Sequence, residues 1–123
     1  MAFLTDRKRA VGMGAAKTGT SNFWNMTVSS AALLILVPFF IFIVGNAIGK
    51  PHADVVATFS RPFPALVVAL TMLIGFMHFK IGVQTLVEDY VHGLARKITI
   101  IVTTCIAYAG AAAALYAIVR IAL

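Results

Sequence analysis

Three long apolar runs dominate the pattern of hydrophobic and polar positions along the chain. They cover about residues 24–48, 63–87 and 98–119, and the first contains no charged side chain. Each has roughly the 20 apolar residues that a helix needs to cross about 30 Å of hydrocarbon. The pattern therefore predicts an all-α integral membrane protein with three transmembrane helices (residues 23–123) and a polar N-terminal tail (residues 1–22).

Polar and proline-containing segments separate the three runs. Residues 46–64 contain three prolines and predict a first loop, in which Ala53–Phe59 could form a short interfacial helix. Residues 88–97 carry four charged side chains and predict a second loop. Two such loops place the N-terminus and the second loop on one side of a membrane and the C-terminus on the other.

Small and polar residues share one stripe of the second run. At about 100° and 1.5 Å per residue, positions three or four residues apart lie on one side of a helix. Six residues follow this spacing: Thr71, Gly75, His78, Gly82, Thr85 and Asp89. Bulky apolar residues cover the remainder of the helix, so this stripe is expected to face away from lipid.

His78 is the candidate functional residue within the stripe, because an ionisable group in hydrocarbon is costly. A neutral imidazole is a good axial ligand for haem iron, and glycines on either side would let a flat ring approach closely. A buried histidine that hydrogen-bonds a neighbouring helix, with the glycines serving close packing, explains the same pattern equally well. If His78 binds haem, a six-coordinate iron needs its second ligand from another chain.

Composition narrows the classes of function. Hydrophobic residues make up 61% of the 123 residues, which excludes a small soluble domain. The single cysteine, Cys105, cannot form an internal disulfide or a cysteine cluster for an iron–sulfur centre or zinc. The net charge of +6 comes from basic residues that flank apolar runs, so no nucleic-acid partner is expected.

The basic residues are unevenly divided between the two ends of the predicted helices. Seven lie at the end formed by the tail and the second loop: Arg7, Lys8, Arg9, Lys17, Lys80, Arg96 and Lys97. Three lie at the opposite end: Lys50, Arg61 and Arg120. This excess predicts a cytoplasmic N-terminus and a C-terminus on the far side. Lys80 is inside the second run, and we expect it to extend its amine toward the nearer interface.

A longer motif identifies a family resemblance. The second run and its end read HxxIGxxxxxxDYV from His78 through Asp89 and Tyr90. A glycine-rich tail precedes an aromatic pair, with Arg9, Gly12, Gly14, Phe23 and Trp24 in order. Together with the three runs, these features resemble the small hydrophobic membrane-anchor subunit of succinate dehydrogenase (succinate:quinone oxidoreductase, complex II), of the cytochrome b type.

The resemblance implies specific partners and sites. His78 would be one axial ligand of haem b, shared with a large cytochrome b anchor subunit in a larger helix bundle. Tyr90 would hydrogen-bond the head group of ubiquinone, with Asp89 beside it. The chain would anchor the flavoprotein and iron–sulfur subunits in the bacterial inner membrane, with a periplasmic C-terminus, and would not be catalytic alone. Many relatives have His or Arg near the first helix start for the haem propionates, which this chain lacks.

Two other functions fit parts of the same sequence. A cytochrome b anchor of a different dehydrogenase would keep His78 but would not need Asp89 and Tyr90. A non-redox membrane assembly or transporter subunit would bind no haem at all. By composition alone, Asp89 and Tyr90 could also be a helix end meeting water, where tyrosine is common.

Overall fold

The computed structural model describes residues 3–14 and 19–122 of the chain. These residues form five helices: α1 (Asp6–Val11), α2 (Gly19–Ala47), α3 (His52–Phe59), α4 (Pro62–Tyr90) and α5 (Gly93–Ala122). No strand occurs in these two ranges. Lys17, one of the basic residues of the predicted tail, lies outside the described residues.

The three long helices account for the three apolar runs. α2, α4 and α5 contain 29, 29 and 30 residues and are apolar enough to cross a membrane by length and composition. The prediction of an all-α protein with three candidate transmembrane helices is therefore confirmed. The short helix expected in the first loop is present as α3.

The helices extend further than the apolar runs. α2 begins at Gly19, within the predicted tail, and α4 continues to Tyr90. The predicted second loop is therefore mostly helical, and only Val91 and His92 connect α4 to Gly93. A 29-residue helix is about 43 Å long and the hydrocarbon is about 30 Å thick, so each helix continues into the polar interface. Hydropathy detects only the part within hydrocarbon.

The connection between α4 and α5 is short because α4 ends with a closed turn and Gly93 reverses the direction of the chain. The amide of Val91 donates to the carbonyl of Val87, which closes the last turn of α4. Gly93 has φ +68°, a conformation that costs little only for glycine, and it reverses the chain into α5. α4 and α5 therefore lie antiparallel, side by side.

α4 lies in the middle of a row of three helices. It packs against α2 on one side and α5 on the other, while α2 and α5 do not approach each other within the described residues. The buried cluster Ile43, Val67 and Val68 joins α2 to α4 near α3. At the α4–α5 interface, Ala107 and Ala111 are buried at 1% and 5% exposure. This pair has small-xxx-small spacing, which lets two helices pack closely.

Candidate haem and quinone sites

His78 lies half-buried on the side of α4 that faces α2. Its Nδ1 is 2.9 Å from the Oγ of Ser29 on α2. The Ser29 hydroxyl also lies 3.0 Å from the carbonyl oxygen of Met26, which can only accept. A hydroxyl carries one proton, so both hydrogen bonds form together only if Nδ1–H donates to Ser29. In that arrangement Nε2 keeps its lone pair.

Both sequence-based explanations of His78 thus have a counterpart in the structure. The imidazole does hydrogen-bond a neighbouring helix, as expected for a packing histidine. The bond uses Nδ1 alone, and a neutral imidazole that donates through one nitrogen is prepared to ligate a metal through the other. This hydrogen bond is compatible with both explanations, and the role of His78 as a haem ligand stays a prediction.

The two glycines that flank His78 have different surroundings. A Cβ added at Gly82 would lie 3.4 Å from Cε of Met26, so Gly82 makes room for α2. A Cβ added at Gly75 would have no neighbour within 4 Å. Gly75 lines an open apolar groove of about 350 Å³ together with Thr71, Phe79 and Ile106 of α5. This groove lies between α4 and α5, and His78, which faces α2, is not among the residues that line it.

The predicted stripe is only partly shielded within this chain. Thr71 is buried at 7% exposure, and its hydroxyl donates to the carbonyl of Val67 at 2.6 Å. Gly75, His78 and Gly82 are half-buried. Thr85 and Asp89 are exposed. The stripe therefore becomes more open toward the C-terminal end of α4.

These surroundings fit a haem held from one side. His78 is the one histidine inside a long helix, since His52 begins α3 and His92 lies in the α4–α5 connection. Among the described residues, no three His, Cys, Asp or Glu side chains come together to hold a metal ion. His78 is therefore the one histidine of the three long helices that could ligate a haem iron, and a second ligand from another chain stays a prediction.

Asp89 and Tyr90 are the last two residues of α4. Both are exposed, Tyr90 to 78%, and neither side chain forms a hydrogen bond with another described residue. Twelve residues of helix separate Tyr90 from His78, which corresponds to roughly 18 Å. The structure therefore places the predicted haem ligand and the predicted quinone residues at two separate depths of one helix.

A groove of about 350 Å³ at the same end of α4 was not anticipated from the sequence. It is lined on α2 by Gly19, Asn22, Phe23 and Met26, and on α4 by Ile81, Thr85 and Glu88. Glu88 accepts a hydrogen bond of 2.9 Å from Nε2 of Gln84. The groove was missed because part of its α2 wall, Gly19 and Asn22, lies in the segment that hydropathy assigned to the tail.

Lys80 does not take the position expected of it. Its Nζ donates to the Tyr108 hydroxyl at 3.0 Å and lies 5.0 Å from the ring centroid. Side chains lean toward the N-terminus of their helix, which directs Lys80 deeper along α4, and Tyr108 lies midway along α5. The prediction that Lys80 extends to the nearer interface is wrong. Without Lys80, the basic residues still divide six to three between the two ends.

Comparison with known proteins gives a consistent result over the whole chain. The sequence model of the family described as "Succinate dehydrogenase/Fumarate reductase transmembrane subunit" matches residues 2–118. The succinate dehydrogenase hydrophobic membrane anchor subunit of Paracoccus denitrificans is 43% identical over 123 residues, which is all of this chain and 95% of that protein. No solved structure gives a significant match. The chain therefore belongs to the family of succinate dehydrogenase and fumarate reductase transmembrane subunits, as a hydrophobic membrane anchor.

Proposed function

We propose that this chain helps to bind haem b and ubiquinone at the point where electrons from succinate reach the quinone. The observation that carries the proposal is the state of His78, whose Nδ1 is engaged by Ser29 and whose Nε2 is left to bind iron. Membership of the family supports the redox function over a non-redox assembly or transporter subunit. The full-length similarity to a succinate dehydrogenase anchor favours succinate dehydrogenase over another dehydrogenase.

At the haem site, this chain would contribute one iron ligand. His78 would ligate the iron through Nε2, and the large cytochrome b anchor subunit would supply the opposite ligand. Gly75, three residues before His78 on α4, has no neighbour within 4 Å of its Cβ position and lines an open apolar groove. When bound, haem b supplies a centre that accepts and releases single electrons.

At the quinone site, Tyr90 would act as a hydrogen-bond donor. Its phenol can donate to a quinone carbonyl and stabilise the negative charge that develops on that oxygen during reduction. Asp89 can orient the phenol or pass protons from water to the reduced oxygen. Both side chains lie at the helix end, where the exposed hydroxyl of Tyr90 has no partner among the described residues.

The end of α4 that carries Tyr90 is also where we place the soluble subunits. The flavoprotein and iron–sulfur subunits would dock on this side, beside α1 and its exposed basic residues Arg7, Lys8 and Arg9. The larger number of basic residues at this end makes it cytoplasmic. The chain would lie in the bacterial inner membrane with a cytoplasmic N-terminus and a periplasmic C-terminus.

A reduced-minus-oxidised visible spectrum of the mildly solubilised complex tests the proposal. We expect the bands of a b-type haem in the native complex and their loss or strong weakening with His78→Ala. His92→Ala is the matched control, because His92 is exposed in the α4–α5 connection and should leave the bands unchanged. Full haem content in an assembled His78→Ala complex would reject the ligand role.

A further inference from the structure

Ser29 holds His78 from the neighbouring helix by a contact that the sequence did not predict. We propose that Ser29 is a positioning residue for the haem ligand: it fixes the imidazole tautomer with the lone pair on Nε2, and it raises the electron donation of that nitrogen to iron. This inference rests on the proposed role of His78 as a ligand. It adds a residue on α2 to a site that otherwise lies on α4.

The geometry makes Ser29 an acceptor toward His78. The Ser29 proton is directed to the Met26 carbonyl at 3.0 Å, which leaves the oxygen lone pairs for Nδ1–H at 2.9 Å. A hydroxyl that donates elsewhere is polarised, so its oxygen becomes a better acceptor. The chain of hydrogen bonds from His78 through Ser29 to Met26 therefore runs in one direction and selects a single tautomer.

Packing holds this chain of hydrogen bonds in register. Met26 and Ser29 are three residues apart on α2, and His78 and Gly82 are four residues apart on α4. The Met26 side chain lies over Gly82, while the Ser29 hydroxyl reaches His78. A sliding movement between α2 and α4 would break both contacts together, so the imidazole ring is oriented by two helices at once.

A ligand nitrogen becomes a stronger donor when the other nitrogen of its ring donates to a good acceptor. Stronger donation stabilises ferric over ferrous iron and lowers the midpoint potential. Removing the Ser29 oxygen leaves Nδ1–H without its partner and weakens the donation. Ser29→Ala should therefore raise the midpoint potential of the haem.

Ser30 provides a matched control on the adjacent residue. Its hydroxyl also donates to the Met26 carbonyl, at 2.8 Å, but Ser30 is exposed and makes no hydrogen bond to His78. Ser30→Ala therefore removes the same chemical group and the same acceptor contact without touching the imidazole. Ser29→Thr keeps the hydroxyl, and Ser29→Cys keeps the shape with a weaker acceptor.

The experiment is a potentiometric titration of the haem bands in the purified complex, with a low-temperature EPR spectrum of the ferric form. Loss of an outer-shell partner of a metal ligand typically changes metal affinity by a factor of ten or more. A tenfold change in the ratio of ferric to ferrous affinity corresponds to about 59 mV for one electron. We expect Ser29→Ala to shift the potential upward by about this amount and to broaden the EPR signal. Ser29→Cys should shift it less, and Ser30→Ala and Ser29→Thr should match the native complex.

The outcomes separate this inference from the function on which it rests. A Ser29→Ala complex that assembles but loses its haem, beside an unchanged Ser30→Ala complex, would also support the positioning role. An unchanged potential and EPR signal in both Ser29→Ala and Ser29→Cys would overturn it, as would equal shifts in Ser29→Ala and Ser30→Ala. Retention of haem by His78→Ala would instead reject the ligand assignment itself.

Discussion

Gly110 of α5 lies directly against the ring of Phe76 of α4. A Cβ added at Gly110 would be 2.6 Å from both Cε1 and Cζ of that ring, well inside normal contact distance. Gly110→Ala should therefore force the ring to move and loosen the α4–α5 interface. Overpacking costs about 1–3 kcal/mol, and an overlap this close belongs to the upper part of that range, above the gain of about 1 kcal/mol in helix propensity. We expect a lower midpoint for thermal dissociation of the solubilised complex.

Gly45→Ala is the control for this substitution. Gly45 also lies inside a long helix, but a Cβ there would have no neighbour within 4 Å. Only the gain in helix propensity applies at Gly45, so Gly45→Ala should leave thermal stability unchanged or slightly higher. Equal losses with both substitutions would show that the Phe76 contact is not the cause.

Tyr90→Phe should separate quinone reduction from succinate oxidation. The substitution removes the hydroxyl that we propose donates to the quinone carbonyl, and the side chain is 78% exposed, so the fold should not change. Loss of one oxyanion-type donor lowers turnover by roughly a hundredfold. Turnover with ubiquinone should fall strongly, while succinate oxidation with a soluble artificial acceptor should be preserved.

Asp89→Asn is the comparison on the neighbouring residue. The amide keeps the size of the carboxylate but cannot accept a proton, so we expect a milder loss of quinone turnover than with Tyr90→Phe. The two assays, with ubiquinone and with the artificial acceptor, should be run on all variants. Equal losses in both assays for Tyr90→Phe would argue against a quinone contact.

The Lys80–Tyr108 pair can be tested by a double-mutant cycle. Tyr108→Phe alone leaves the Lys80 amine without its hydroxyl partner inside a membrane-spanning helix, which should cost about 1–3 kcal/mol of stability. In a Lys80→Met background the same change has no amine to leave unpaired, so its cost should be small. Thermal dissociation of the four complexes measures the difference. Equal effects of Tyr108→Phe in both backgrounds would show that the pair is not coupled.

The proposed orientation can be tested by cysteine labelling. Cys105 is the single cysteine, so Cys105→Ala gives a chain without thiols into which one cysteine can be placed. A cysteine at Ala53 should react with a membrane-impermeant maleimide in intact spheroplasts. A cysteine at Ala10 in α1 should react only after lysis. The opposite pattern would reverse the assignment of the two membrane faces.

Much of the architecture follows from hydropathy, because long apolar helices have few alternatives in a bilayer. The three spans could be predicted from local sequence. The ends of the helices could not, because α2 and α4 continue through polar residues at the interface. Positions such as Tyr90 have loop-like composition but helical backbone.

Sequence patterns within single helices did not predict the contacts between helices. The Ser29–His78 hydrogen bond depends on the register of α2 against α4, which no periodicity within one helix determines. The position of Lys80 was missed for a similar reason, because Tyr108 lies 28 residues away on another helix. A single sequence identifies His78 as the candidate ligand but cannot show which of its nitrogens is free.

Three helices side by side in a row do not enclose a fully buried core. α4 is flanked by α2 and α5, with α3 packed near its N-terminal end, and no large side chain among the described residues is fully buried. In a membrane, the open surfaces of these helices are left for lipid or another protein to cover. On surfaces that another protein covers, substitutions should therefore be detected as failed assembly, while substitutions between the helices should be detected as unfolding.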